Sequence, residues 1–388
     1  MIQYIGLDFT RAAAGFRARA ITVDRAGRVL NSGSAPVQGV TEGAAGVVEV
    51  RPGEWVRAGS LALKDAFFRI PAKVRKVWGI SFSGPDGWIA LSPEFEPLTA
   101  LRITPSPLED FLAWLEEDPR RRSHIFTVLP PKDYFRYELS GGLATDVTQA
   151  EAFGLLEPGT TDWSIPKVSG RGIARSWLPA VFDSTVATGR ISEAGIVKTG
   201  LPGGLWMAAG ARDGLGPIVS AGDLEAGVLL IGAKDGGVLE MAALAGLPGG
   251  SGVPEGFEIT RAPLAQKTIL RRTVRLEATG DPGAAAAKAA WETMETLRAS
   301  AFPGLRPPER IILDWRPEAA PAWAERFLQG VGVPAERSPF AGAEDPGTAF
   351  LAAIAQGAFR SMSLMARKVR EVLERDAREA AAGEVIPS

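Results

Sequence analysis

Three short segments of this 388-residue chain carry residue types from which a reaction site can be built. Gly6-Leu7-Asp8 ends an opening apolar strand on a carboxylate, and a carboxylate placed so in a cleft suits a hydrated magnesium ion. Ala209-Gly210-Ala211-Arg212-Asp213-Gly214 surrounds one Asp with small residues, which lets a substrate hydroxyl approach it as a general base requires. Leu230-Ile231-Gly232-Ala233-Lys234-Asp235-Gly236-Gly237 is a Gly-rich turn whose backbone amides can face an anion. Each pattern is also what an ordinary turn looks like, because an Asp beside Gly has local uses.

Composition narrows the rest of the chemistry. The chain has no Cys, which excludes disulfides, thiolate zinc sites and cysteine nucleophiles. Its one His, His124, rules out multi-histidine metal sites and leaves a Ser-His-Asp triad a single possible base. His124 stands in Ser-His-Ile-Phe, leading into a strand, where a structural role is expected. Lys and Arg total 43 against 45 Asp and Glu, a net charge of −2 that gives no reason to expect nucleic acid or an anionic membrane as partner. The basic cluster Arg120-Arg121-Arg122, beside Lys132 and near Glu116-Glu117-Asp118, reads as a solvated helix end. No stretch approaches the length of apolar sequence that spans a membrane, and the first residues lack a charged segment followed by an apolar core, so a cytoplasmic protein is expected.

The elements that must position these residues alternate between strand and helix. Gln3–Phe9 and Gly15–Val23 read as strands, with a turn at Asp24–Arg28 before Val29-Leu30. Glu54–Phe68 has helical spacing, with Trp55, Leu61, Leu63, Ala66 and Phe67 on one face. Lys76–Ser81 is a buried strand, and Gly84-Pro85-Asp86-Gly87 is a turn feeding Trp88–Leu91. Helices are expected at Pro107–Glu117, Lys132–Leu139, Thr145–Leu155, Ala284–Leu297 (capped at Asp281), Pro321–Leu328, Thr348–Phe359 and Lys368–Ala382. Strands are expected around Ile125–Leu129 and at Ile311–Leu313. This order is α/β, and the length favours two domains. No repeat of solenoid period is visible.

The order of segments resembles the FGGY carbohydrate kinases, nearest their xylulokinase branch. The resemblance is strongest over Leu129–Ser164, in Leu-Pro-Pro-Lys-Asp-Tyr-Phe-Arg-Tyr-Glu-Leu-Ser-Gly-Gly-Leu-Ala-Thr-Asp and the later Gly-Leu-Leu-Glu and Thr-Asp-Trp-Ser. It continues through Leu178-Pro179, Gly189 and Thr199-Gly-Leu-Pro-Gly-Gly to Asp213, and Ile311–Pro334 lies along the family's adenosine segment. It implies a two-domain actin/hexokinase/Hsp70-like (ribonuclease H-like) fold and ATP-dependent phosphorylation of a sugar or polyol hydroxyl in a cleft. The domains would be residues 1–221 and 222–388, hinged near Val219–Asp223. Asp213 falls on the catalytic base and Asp8 on the metal-organising acid of the first phosphate hairpin. Asp86 falls near a sugar-contacting His, and Gly232 falls in the second phosphate hairpin.

The departures from the family concentrate on the nucleotide. After Asp-x the family's Gly-Thr-Thr-Ser is Thr10-Arg11-Ala12-Ala13 here, although Arg11 can meet a phosphate by charge. The family's Gly-Thr-Ser-Gly is Gly232-Ala233-Lys234-Asp235-Gly236, which removes the Thr hydroxyl and adds a carboxylate. Three consecutive glycines of the adenosine segment are Trp315-Arg316-Pro317, whose rings occupy room the glycines leave open. On the sugar side, the family's Trp-x-Asp-x-Arg and Lys-x-x-Trp motifs are missing between Arg102 and Ile125. Phosphoryl transfer consists of positioning, a metal and a base, so these losses predict a catalytically impaired protein with a pseudokinase-like binding or subunit role. An active kinase of a small sugar or polyol, using ATP and Mg2+, is the alternative. A homodimer or a protein partner is compatible with either. Trp88, Trp163, Trp206 and Trp315 are the indoles to look for near the cleft.

Overall fold

The structure is a computed structural model that describes residues 2–383, apart from 13–14, 44–45, 222–226, 235–237, 247–252, 263–267, 276–281, 304, 315–332 and 339–345. Its first sheet is built on the opening segment. Gln3–Ala12 pairs antiparallel with Gly15–Asp24, which pairs antiparallel with Val29–Val37. On the other side of Gln3–Ala12, Val77–Gly84 pairs parallel to it and is itself followed by Trp206–Ala208, also parallel. Ala187–Arg190 forms the far edge, and Ala211–Arg212 pairs with the end of Val77–Gly84.

The second sheet repeats the plan. Thr268–Arg275, Val238–Ala245 and Val228–Lys234 form an antiparallel set, and Arg310–Asp314 and then Ala335–Arg337 add in parallel. The edge strand Glu258–Arg261 completes it. Each half therefore holds an antiparallel meander whose first strand also pairs in parallel with a later one.

Helix Gly347–Ala355 ties the C-terminal part of the chain back to the first sheet. Ala349, Phe350 and Leu351 share one buried cluster with Tyr4, Ile21 and Val23. The approach is close: a Cβ at Gly6 would run into the backbone of Thr348 and Ala349, so this crossing needs glycine in the first strand. A smaller five-stranded sheet, with Gly87–Leu91 between Leu101–Ile103 and Thr127–Leu129, carries a separate aromatic cluster of Trp88, Phe111, Trp114, Trp163 and Trp177.

Several elements fall where local signals put them. Helix Pro107–Glu117 has the expected bounds, and helices Pro52–Phe68 and Pro131–Ser140 bracket the expected spans. Thr145–Leu155 instead divides into strand Ala144–Asp146 and helix Val147–Ala152, because Asp146 Oδ2 accepts from Thr148 N and caps the helix there. The opening strand runs on through Ala12, so Asp8 lies within it and not at its end. Val77–Gly84 likewise extends three residues past Ser81, held by Asp8's strand and by Ala211–Arg212. Helix Pro282–Ala299 covers Ala284–Leu297, whereas Asp281 and the segment Pro321–Leu328 lie outside the described residues. The last two helices are Gly347–Ala355 and Met362–Gly383.

Some side chains sit elsewhere than expected. Leu61 is 43% exposed, because the buried stripe of its helix runs through Trp55, Ala58, Ala62, Leu63 and Ala66, and Leu61 is rotated off it. Trp88 and Trp163 are core residues, with Nε1 donating to Asp110 Oδ2 at 2.9 Å and to Pro179 O at 2.7 Å. Trp206 is half-exposed under the Arg190 guanidinium, and Trp315 lies outside the described residues. His124 is exposed at the end of the short helical turn Pro119–Ser123. Arg120 and Arg121 do form solvated pairs with Asp118 and Glu117, but Lys132 is wholly buried and belongs to another network.

Candidate active site

The motif Leu129–Ser164 folds into a polar core beneath the turn that carries Asp213. Lys132, Asp133, Arg136 and Asp146 are all fully buried. Lys132 Nζ lies 2.8 Å from Asp133 Oδ1 and 3.0 Å from Asp146 Oδ1, and it donates to Ala209 O at 2.9 Å. Arg136 Nε donates to Asp133 Oδ1 at 3.3 Å, and Thr145 Oγ1 to Asp133 Oδ2 at 2.6 Å. Asp146 Oδ2 also accepts from Ser184 Oγ at 2.8 Å. Buried charges persist only when paired and hydrogen-bonded, and here the ion pairs and the Ala209 carbonyl satisfy the lysine.

This core fixes the Asp213 turn from below. Thr148 Oγ1, itself donating to Asp146 Oδ2, accepts from Arg212 N at 2.8 Å. Asp213 N donates to Gly84 O at 2.7 Å, and Gln149 Nε2 donates to the same carbonyl, also at 2.7 Å. Gly210, at φ +83°, presses against the Phe82 carbonyl so closely that a Cβ there would overlap it. Asp213 Oδ1 accepts from Gly214 N at 2.8 Å.

Above the turn lies a cavity of about 270 Å³ whose walls include Arg11, Phe16, Asp86, Arg212, Asp213 and Arg271. Three residues singled out in the sequence, Arg11, Asp86 and Asp213, thus meet in one space. Arg212 ion-pairs with Asp86 Oδ2, while Asp86 Oδ1 is buried with no hydrogen-bond partner among the described residues. Burial pushes the Asp86 carboxyl above its usual range, and the Arg212 and Arg271 charges pull the other way. Arg271 comes from the second sheet, so both sheets contribute to the walls. Arg11 reaches the cavity from the first hairpin and makes an exposed 3.8 Å pair with Glu42.

Asp8 does not line this space. It pairs in register with Ser83, and its Oδ1 accepts hydrogen bonds from both Ser83 Oγ and Thr348 Oγ1. Burial pushes its carboxyl up, against the two hydroxyls and the more distant Arg19 charge. The folded protein therefore keeps this proton to higher pH than the unfolded chain. Asp8's contribution to stability falls as pH rises from the ordinary value of 3.8 through the raised one. Asp8→Asn removes that titration and keeps an acceptor for both hydroxyls. Its stability relative to the parent is expected to improve as pH rises above the ordinary carboxyl value of 3.8 in urea titrations. A difference that stays constant as pH rises contradicts the assignment.

Gly232 sits half-buried in strand Val228–Lys234, in register with Asp314, and lines no part of the cavity. Ala233 belongs to the same strand, and Trp315 and Arg316 lie outside the described residues. Sequence reading missed Arg271 and the buried Lys132–Asp133–Arg136–Asp146 set. The signal available was a Lys-Asp-x-x-Arg spacing on a helix next to the apolar Val128-Leu129, where charges are paired or costly.

The model of the FGGY family of carbohydrate kinases, N-terminal domain, matches residues 90–217, which include the buried network and Asp213. The xylulose kinase of Bacillus subtilis is 25% identical over 270 residues, 62% of this chain and 53% of that protein. Over residues 90–217 the chain is thus similar to the N-terminal domain of the FGGY carbohydrate kinases. The match thus spans about half the length of that FGGY relative, and the xylulose kinase of Klebsiella pneumoniae, 28% identical over 116 residues, is matched over 24% of its length. The solved xylulose kinase of Rhodospirillum rubrum superposes with a TM-score of 0.77 at 16% identity, over 98% of each chain. At that identity the likeness speaks for fold: the two-domain actin/hexokinase-like architecture of the FGGY kinases. Among the described residues no helix is long and apolar enough to cross a membrane.

Proposed function

We propose that this FGGY protein binds a small sugar or polyol in the cavity beside Asp213 and is impaired in phosphoryl transfer, serving as a pseudokinase-like binding protein or subunit. Residues 1–221 and 222–388 are taken as its N- and C-terminal domains, with Asp213 at the position of the base and Asp86 on the acceptor side. The observation that carries the reading is the state of Asp8. A carboxylate that organises a hydrated cation must be ionised and offer its oxygens to water. Here one oxygen is held by two hydroxyls from separate elements, and burial favours the neutral form. Asp8 in this state fits a nucleotide-bound magnesium ion poorly. The substitutions in all three nucleotide segments point the same way.

The second reading, an active ATP-dependent kinase with Mg2+, is favoured by Arg11, a cation that shares the cavity with Asp213 and can meet a phosphate there. A coupled assay of ADP release over a panel of sugars and polyols separates the two. The expected result is no sugar-dependent turnover above that of the Asp213→Asn variant. Turnover that Asp213→Asn abolishes would establish the second reading.

A further inference from the structure

The cavity beside Asp213 is small, and its charges are unusual for a neutral carbohydrate. Ordinary ligand pockets start near ~300 Å³, so about 270 Å³ suits a compact acceptor and not a whole nucleotide. Its walls present three guanidinium groups, from Arg11, Arg212 and Arg271, against two carboxylates, from Asp86 and Asp213. Arg212 is committed to Asp86 Oδ2.

Arg271 is placed differently. Its one hydrogen bond among the described residues is a long one, 3.5 Å from Nη2 to Gly214 O. Both of its terminal nitrogens come within 4.0 Å of where a Cβ at Gly214 would stand, so the open fork of the guanidinium lies over the Asp213 turn. A planar fork of donors matches a carboxylate in a way that a hydroxyl cannot. The second demand comes from Asp86. Its side chain is only 9% exposed and its Oδ1 lacks a partner among the described residues, which calls for a hydroxyl donor from whatever fills the cavity.

We propose that the acceptor is a sugar acid, a short polyhydroxylated carboxylate, with its carboxylate on the Arg271 fork and its hydroxyls on Asp86 Oδ1 and Asp213. The assignment rests on the cavity being the acceptor site. It is independent of whether phosphate is transferred. The same anion chemistry is offered by a phosphate, so the test separates the two sources.

Calorimetric titration of the full chain without nucleotide would compare D-gluconate with D-glucitol, D-xylonate with xylitol, and inorganic tripolyphosphate. The acids are expected to bind about tenfold or more tightly than the alcohols of equal length. That preference should weaken with added salt, disappear in Arg271→Gln and survive in part in Arg271→Lys. Equal binding of acids and alcohols overturns the sugar-acid proposal and leaves the acceptor-site reading standing. Binding of tripolyphosphate alone assigns the arginines to phosphate and overturns both. Absence of binding by every probe also overturns both.

Discussion

Lys132→Met is expected to destabilise the protein by about 3–5 kcal/mol, the cost typical of removing one partner from a buried ion pair. Lys132 is the common partner of Asp133 and Asp146, and none of the three is exposed to solvent. Methionine matches the length of the aliphatic stem, so the loss comes from two carboxylates and the Ala209 carbonyl left without their cation. Arg136 still reaches Asp133 Oδ1, which moderates the effect at that residue and leaves Asp146 the more damaged. Because Ala209 opens the segment that leads to Asp213, the variant should also loosen the cavity wall. Urea unfolding monitored by tryptophan fluorescence measures the first effect. A variant within about 1 kcal/mol of the parent would mean that the network is not what holds the turn.

The second large effect concerns the nucleotide. Losing one phosphate donor costs about 2.7–4 kcal/mol of transition-state stabilisation by analogy with oxyanion-hole variants. The first hairpin keeps Thr10 but has Arg11-Ala12-Ala13 where further hydroxyls are expected, and the second has Ala233 for a Thr. Two such losses, if additive, slow phosphoryl transfer on the order of 10⁴–10⁶-fold. If side chains alone obstruct the site, restoring them should recover affinity. Combining Ala233→Thr with Trp315→Gly, Arg316→Gly and Pro317→Gly is expected to tighten ATP binding about tenfold or more over the parent. Equal, undetectable binding by parent and variant would place the defect elsewhere, with Asp8 the next suspect.

What the sequence disclosed follows from the range of the interactions involved. Helix Pro107–Glu117 was legible to its ends because Ser106-Pro107, the acidic first turn and the buried Leu108, Phe111 and Leu115 are all local signals. The doubling of the sheet plan left no repeat to read, since it preserves pairing order and not residue identity. Asp8 was recognisable as a strand carboxylate, but its partner Thr348 lies 340 residues away, so neither its burial nor the hydroxyls that hold it were visible. Lys132 looked solvated because its compensation comes from Asp146 and Ala209, on segments brought together only by the fold. Arg271 carries no motif, and it matters only because the second sheet delivers it to the Asp213 turn. Asp213, Asp86 and Arg11 were found through family spacing, and the cavity they share became apparent only in three dimensions.

We propose that this FGGY-like chain keeps an acceptor cavity beside Asp213 and is impaired on its nucleotide side. Calorimetric titration of the purified protein with Mg-ATP and Mg-ADP tests it most directly. No detectable binding at millimolar nucleotide is the predicted result. Binding in the micromolar range to the unmodified chain would contradict the account and make Asp213 the base of a working kinase.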